Sequence, residues 1–310
     1  MEFFKIRRTI PFMRYALVFN IISVVTFLAA VFFLAHRGLN FSIEFTGGTL
    51  IEVAYKQAAD VDAVRRTLDD AGYKAEVQNF GSSRDVLIRM HLEKNQSTSD
   101  LSQKVGEVLK KQDPGAEIRR VEFVGPQVGR ELAENGALAL LVTAAGIVLY
   151  LWLRFEWRFG LAAVLATLHD IVATIGFIAL MRMEVSLVVV AAVLSMVGYS
   201  LNDTIIIFDR VRENLHKYKR SDLYQILNRS VNETLPRSIL THGTTLATLG
   251  SLAIFGGDVI RPFAQVMFFG VFTGTFSSIF IAPPVLLYIE RRWPGEDVKG
   301  TRSIASEPAR

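Results

Sequence analysis

Six long apolar segments alternate with polar stretches along this chain. They cover residues 15–35, 135–153, 159–181, 185–208, 238–257 and 262–289. About 20 apolar residues in a helix cross the hydrocarbon core of a bilayer, so each segment is long enough to span a membrane. The pattern therefore predicts a polytopic α-helical membrane protein with six transmembrane helices.

The polar stretch at 36–134, between the first two apolar segments, follows a different pattern. Apolar and polar residues alternate as in strands at 41–55, 74–80, 85–92 and 116–124, and they have helical spacing at 60–71 and 97–112. Gly81 opens a turn between two of these strands, and Asp60 is the expected N-cap of the first helix. The order β-α-β-β-α-β predicts a ferredoxin-like α+β domain.

Positive charge is concentrated in the links that fall on one side if all six segments cross. Those links are the tail 1–14, residues 153–158, residues 209–237 and the tail 291–310. The two short links on the opposite side carry one basic residue each, Arg182 and Arg261. Because cytoplasmic loops are rich in Lys and Arg, both termini are predicted to be cytoplasmic and 36–134 to be exported. This topology accounts for the basic residues without a nucleic-acid partner.

The composition excludes several classes of protein. The 310 residues are 51% hydrophobic and 21% charged, with a mean hydropathy of +0.32, which excludes a disordered chain and an ordinary cytosolic globule. The absence of cysteine excludes disulfides, thiolate metal sites and a cysteine nucleophile. His36 and His91 stand alone in the exported segment, and no metalloprotease or serine-elbow motif occurs. Neither catalysis nor a cofactor or metal is expected.

Two carboxylates fall inside predicted spans, where a charge costs about 2.5–3.5 kcal/mol at the bilayer centre and usually serves a function. Asp170 lies near the middle of the third span and shares a helical face with Thr167 and Thr174. His169 precedes it but points about 100° away around the helix. His169 is either a proton relay or a hydrogen-bonded structural residue, and the sequence leaves both open.

The second carboxylate, Asp203, follows Asn202 in the fourth span, and Arg237 and Thr241 open the fifth. A carboxylate can be neutral when desolvated and ionised beside a cation, whereas an arginine does not deprotonate. Asp203 and Arg237 are therefore predicted to form a proton site. A carboxylate that simply lies near the cytoplasmic headgroups is the alternative.

Polar stripes on the third, fourth and fifth spans are expected to face one another, away from lipid. His242 lies beside the stripe of the fifth span and is expected to pack or to hydrogen-bond with its threonines. Small residues recur every fourth position at Gly270, Gly274 and Ser278 and at Gly243, Ala247 and Ser251. Both ridges are expected to pack against neighbouring helices.

Residues 198–214, with the sequence Gly-Tyr-Ser-Leu-Asn-Asp-Thr-Ile-Ile-Ile-Phe-Asp-Arg-Val-Arg-Glu-Asn, resemble the fourth-span motif of the SecF proteins. These belong to the SecD/SecF family of the RND superfamily. Gly47-Gly48, the 124–129 sequence Val-Gly-Pro-Gln-Val-Gly, and His169-Asp170 also fit that family. The fifth-span motif departs from it, since Ser238 and His242 stand where a threonine and a serine are common.

The resemblance implies a function in protein export across the bacterial inner membrane. It implies an RND-type half fold, a SecD partner, the SecYEG channel, an unfolded preprotein substrate and contact with membrane lipids. It also implies coupling to the proton motive force, with Asp203, Arg237 and Asp170 matching the family's proton-pathway residues. The sequence leaves H⁺ or Na⁺ open as the coupling ion. A half-length RND-type small-molecule transporter subunit is the alternative.

Overall fold

The structure is a computed structural model that describes residues 9–80, 82–90 and 98–295. Predictions that concern the first eight residues, Gly81, His91, the helix start at Ser97 and the tail from residue 296 lie outside the described residues. In chain order the elements are α1 (Phe12–Arg37), β1 (Asn40–Phe41), α2 (Ile43–Thr46), β2 (Gly48–Ala54), α3 (Val61–Asp70), β3 (Ala75–Phe80), β4 (Ser82–Met90), α4 (Thr98–Gln112), β5 (Glu117–Val124), α5 (Pro126–Arg154), α6 (Trp157–Leu180), β6 (Glu184–Val185), α7 (Leu187–Lys217), α8 (Leu223–Phe255), α9 (Gly257–Phe280) and α10 (Ala282–Arg292).

Six stretches within the described ranges are long and apolar enough to cross a membrane, which confirms the predicted spans. They are α1, α5, α6, α7, α8 and the pair α9–α10. The chain divides into two compact units, an α+β unit of residues 41–139 and a helical unit formed by the residues on either side of it. The helix α5 belongs to the α+β unit up to residue 139 and to the helical unit from residue 140.

The helix α6 is one of the buried helices of the helical unit, and its inner face carries small residues. Ala162, Ala163, Ala166 and Ala173 are at most 2% exposed. Small side chains let neighbouring backbones approach closely. The helix α1 approaches α6 in this way, where Ala30 of α1 faces Gly176 of α6. The outward faces of α1 and α5 expose large apolar side chains, such as Leu17 at 74%. Such faces suit contact with lipid.

The helix α5 begins earlier and α7 ends later than the apolar segments that predicted them, and the last two spans differ most. The helix α8 begins at Leu223, ahead of the predicted 238, and contains Pro236. Its early turns are polar but ordered by contacts: Asn232 accepts from the backbone N–H of Ile10 and donates to its carbonyl oxygen, both at 2.8 Å. The sixth span is broken at Ile281 because Pro283 and Pro284 lack the N–H groups that would continue the helix.

The α+β unit has the predicted ferredoxin-like topology. Its four-stranded antiparallel sheet has the order β3-β4-β2-β5. The core includes Ile51 and Ile88 from the sheet, Leu68 from α3 and Val105 from α4, each fully or almost fully buried. The carboxylate of Asp60 caps α3 by accepting from the backbone N–H groups of Asp62 and Ala63, as predicted.

The glycine pair fixes the chain path between α2 and β2. Gly47 and Gly48 have φ angles of +72° and +127°, which side chains strongly disfavour. A Cβ on Gly48 would lie 2.6 Å from the carbonyl oxygen of Met90. A Cβ on Gly129, in the first turn of α5, would lie 2.9 Å from the backbone nitrogen of Gly47. The glycines therefore permit the close approach of α5 to this turn.

Candidate functional site

Asp170 is completely buried and both of its carboxylate oxygens have partners. Oδ2 accepts hydrogen bonds from Ser200 of α7 at 2.6 Å and Ser277 of α9 at 2.5 Å. Oδ1 lies 3.1 Å from Nδ1 of His169. Thr167 and Thr174 are buried on the same face of α6, as the sequence predicts. Asp170 thus joins three helices through one carboxylate.

His169 extends this network to the first span. Its Nε2 lies 2.7 Å from the hydroxyl of Ser23, which is 5% exposed on α1. A ring protonated at Nδ1 donates to Asp170 and accepts from Ser23. The ring also stacks on Phe27 at a centroid distance of 6.2 Å. The structure thus shows a hydrogen-bonded histidine, an arrangement that is also compatible with proton relay.

Asp203 lies in a second polar cluster, between α7 and α8. It is 5% exposed, and its Oδ1 accepts a 2.7 Å hydrogen bond from Ser238 of α8. Its Oδ2 is buried without a hydrogen-bond partner. One turn earlier on α7, the hydroxyl of Tyr199 donates to Thr245 at 3.0 Å, and its ring meets that of His242 edge-on at 5.3 Å.

The other predicted residues of this site lie on the surface of the chain. Arg237, Asn202 and Thr241 are exposed. In the described part of the chain, Arg237 makes no hydrogen bond or ion pair with Asp203 and acts on it only through longer-range electrostatics. Thr244 and Thr248 continue the exposed polar row along α8. The side chains of this row are polar and can form hydrogen bonds, so lipid is a poor environment for them.

The expectation that three polar stripes face one another is confirmed for α7 and α8, where Tyr199 bonds Thr241 and Thr245, and is wrong for α6. The stripe of α6 meets serines on α7 and α9, while Asp203 meets α8, because successive turns of α7 point to different neighbours. The ridge that includes Gly274 packs on α7 as expected: a Cβ there would lie 2.8 Å from Cβ of Ser200. The ridge that includes Gly243 does not pack as expected, since Gly243 is exposed and has open space around it.

A charged cluster follows the Asp203 site toward the end of α7. Glu233 of α8 accepts from Arg210 at 2.6 Å, from Arg229 at 2.9 Å and from the amide of Asn214 at 2.9 Å. Asp209 pairs with Arg154 of α5 at 2.6 Å. These basic residues therefore hold helix ends together in addition to giving the positive charge used to predict orientation.

Sequence reasoning missed the three serines of the Asp170 network, Ser23, Ser200 and Ser277. Ser23 and Ser277 lie in uncharged apolar runs and carry no pattern of their own. Ser200 lies three residues before Asp203, inside the fourth-span motif, and no charge or spacing marks it as a partner of Asp170. The signal that could have found them is the need of each buried carboxylate for hydrogen-bond donors. Within the described ranges, no three His, Asp or Glu side chains gather as a metal site would require.

Six spans, a ferredoxin-like domain between the first two, and carboxylates buried among the helices define a multi-pass membrane protein with the fold of one RND-type half. The chain belongs to the SecD/SecF family of protein-export membrane proteins. The model of the family's C-terminal region matches residues 104–292, and that of the SecD/SecF GG motif matches residues 32–59.

Individual relatives agree with this family. The protein translocase subunit SecF of Gemmatimonas aurantiaca is 51% identical over 286 residues, covering 89% of this chain and 86% of the relative. SecF of Pseudomonas aeruginosa is 47% identical over 256 residues, covering 82% of each chain. The crystal structure of SecDF, a translocon-associated membrane protein from Thermus thermophilus, matches with a TM-score of 0.85 and 32% identity. That match covers 93% of this chain and 40% of the SecDF chain, so this chain spans about 40% of its length.

Proposed function

We propose that this chain is an accessory subunit of the bacterial Sec protein-export machinery, resident in the inner membrane and driven by the proton motive force. The observation that carries the proposal is the environment of Asp203. Its carboxylate is 5% exposed inside a span, and one of its two oxygens lacks a hydrogen-bond partner. A buried carboxylate of this kind changes its interactions strongly when it gains a proton.

The partner in the membrane is a SecD subunit that covers the exposed polar row of α7 and α8. Arg237, Asn202 and Thr241 offer charge and hydrogen bonds on a surface that this chain leaves open. Polar groups on spans face other helices or water-filled cavities in preference to lipid. The family membership and the match to SecDF support the same partner. The SecYEG channel and an unfolded preprotein complete the assembly that we propose.

The α+β unit is exported and both termini are cytoplasmic in this proposal. The positive charge of the links supports that orientation. A proton that reaches Asp203 neutralises the carboxylate, weakens its attraction to Arg237 and changes its demand for hydrogen bonds from Ser238. The helices α7 and α8 then favour a different packing. Export follows if the two protonation states favour different positions of the α+β unit, because a ligand shifts populations only through such a difference.

The test is secretion into inside-out membrane vesicles that carry the chain with its partners. Asp203→Asn should leave membrane insertion intact and abolish the part of secretion that depends on the proton gradient. Asp209→Asn is the matched control, because Asp209 lies on the same helix but pairs with Arg154 at 2.6 Å near the helix end. Normal gradient dependence in the Asp203 variant would refute the proposal.

The same vesicles identify the coupling ion. A protonophore should abolish the gradient-dependent secretion, and a sodium ionophore should leave it unchanged. The opposite result would assign Na⁺. The alternative of a small-molecule transporter subunit is not favoured, since the family model and the SecF relatives point to protein export.

A further inference from the structure

His242 is a buried imidazole that has no role in the export mechanism described above. It is 4% exposed on α8, and its Nδ1 is buried without a hydrogen-bond partner. An unpaired polar atom in a span is costly, so it calls for a functional explanation. Among the described residues of α7, Asp203 also has a buried side-chain atom without a hydrogen-bond partner.

The arrangement of two helix faces brings His242 toward Asp203. On α8, Ser238 and His242 are four residues apart and therefore lie one above the other on the same face. On α7, Tyr199 and Asp203 have the same spacing. Ser238 bonds Asp203 at 2.7 Å, and the ring of His242 meets that of Tyr199 at 5.3 Å. These two contacts place His242 one helical turn from the carboxylate, within range of electrostatic interaction with it.

The hydrogen-bonding groups around the pair leave one atom open on each side. Ser238 occupies Oδ1 of Asp203, which leaves Oδ2. The hydroxyl of Tyr199 bonds Thr245 and the carbonyl oxygen of Thr241, so its ring touches His242 while its hydroxyl is engaged elsewhere. Among the described residues, Tyr199 of α7 contacts His242 through its ring, and the exposed Arg237 of α8 is a charged group within electrostatic range of Asp203.

We propose that His242 is the second proton-binding residue of the site and exchanges a proton with Asp203. The transfer requires the two atoms to come within hydrogen-bond range, directly or through one bridging water, when α7 and α8 re-pack. The Nδ1–H bond of the imidazolium then breaks, its electron pair stays on nitrogen, and an O–H bond forms at Oδ2 of the carboxylate. An ion pair becomes a neutral pair, and the total charge is unchanged. A proton from solution can then enter or leave through either residue. The inference deepens the proposed function and rests on it for its role in export.

Two interacting groups release their protons in two macroscopic steps that belong to the pair. The experiment follows the infrared C=O band of the protonated Asp203 carboxyl during a pH titration of the purified full-length chain. The band is assigned as the one that Asp203→Asn removes. It should titrate in two steps in the wild type and in a single step in His242→Asn and His242→Gln. His169→Asn is the control and should leave two steps, because His169 contacts Asp170 and Ser23 instead.

A complementary measurement guards against misfolding of the variants. Both histidines are kept and labelled with ¹⁵N, and their pH titrations are compared between the unmodified chain and Asp203→Asn. The titration of His242 should differ between the two, while that of His169 should not. Identical Asp203 titrations with and without His242, or an unchanged His242 titration in Asp203→Asn, would refute the proposal that the two residues share a proton. If the titrations show the pair but secretion ignores Asp203→Asn, the proposed function fails and the pair stands.

Discussion

Gly176 of α6 is the position where the first span packs most closely on the bundle, and its replacement by alanine has a calculable consequence. A Cβ on Gly176 would lie 2.2 Å from Cβ and 2.5 Å from Cα of Ala30. Carbon atoms pack at about 3.5–4.0 Å, so α1 would have to move by about 1.3 Å or more. Neither contact atom of Ala30 belongs to a flexible side chain. The helix itself must therefore shift.

That shift reaches the hydrogen bond between Ser23 and His169, which measures 2.7 Å. A displacement of about 1.3 Å carried along the helix lengthens it to about 4 Å, beyond hydrogen-bond range. Overpacking costs about 1–3 kcal/mol, and the lost bond costs about 0.5–1.5 kcal/mol. Alanine recovers about 0.5–1 kcal/mol over glycine inside a helix. Gly176→Ala should therefore lower the free energy of unfolding by about 0.5–4 kcal/mol.

Two measurements test this prediction in detergent or lipid. Equilibrium unfolding gives the free energy, with Gly146→Ala of α5 as the matched control, since no atom lies within 4 Å of a Cβ there. The control should be neutral or stabilising by up to about 1 kcal/mol. Because the chain has no cysteine, Ser23→Cys is a clean probe, and its maleimide labelling should accelerate when Gly176→Ala is added. Equal stabilities for the two alanine variants, with unchanged labelling, would refute the close packing of α1 on α6.

Two further predictions concern the α+β unit. Gly72→Ala should lower the free energy of unfolding by about 1–2 kcal/mol, because Gly72 has a φ of +83° but open space around it. Gly48→Ala should lower it clearly more, because its Cβ would also clash, and should accelerate amide exchange in β2 of the full chain. Equal losses of stability in the two variants would contradict the clash. Burial raises the pKa of Tyr55 to about 12, so stability should fall as the pH rises above about 10, where the unfolded phenol ionises and the folded one does not. Tyr55→Phe should remove this alkaline dependence in a denaturation series, and its persistence would contradict the assignment.

The elements of this fold were predictable because their signals are local. The six spans are defined by runs of apolar residues, and the ferredoxin-like order by alternation within short segments. The cap of α3 was predictable for the same reason, since Asp60 needs only the N–H groups that follow it. The helix α8 starts earlier than predicted because its first turns are polar, and apolar length does not report on a helix that extends beyond the membrane.

The partners of the buried carboxylates were not predictable because they depend on how helices cross. A serine in a span can satisfy its hydroxyl on a carbonyl oxygen of its own helix, so its sequence position does not reveal a longer-range partner. Ser23 and Ser277 meet the Asp170 network from segments 146 and 107 residues away from their respective partners. The division of the polar stripes into two clusters has the same origin.

The two carboxylates differ in their hydrogen bonding, and this difference indicates different roles. Asp170 is fully hydrogen-bonded, and through His169 and Ser23 its network connects α1, α6, α7 and α9. A satisfied buried network rigidifies the elements that it joins. Within the described residues, Asp203 joins α7 to α8 and keeps one oxygen unpaired. In the proposed mechanism, a proton added at Asp203 therefore alters this helix pair while the Asp170 network holds the other helices in place, so the contact between α7 and α8 is the one expected to move.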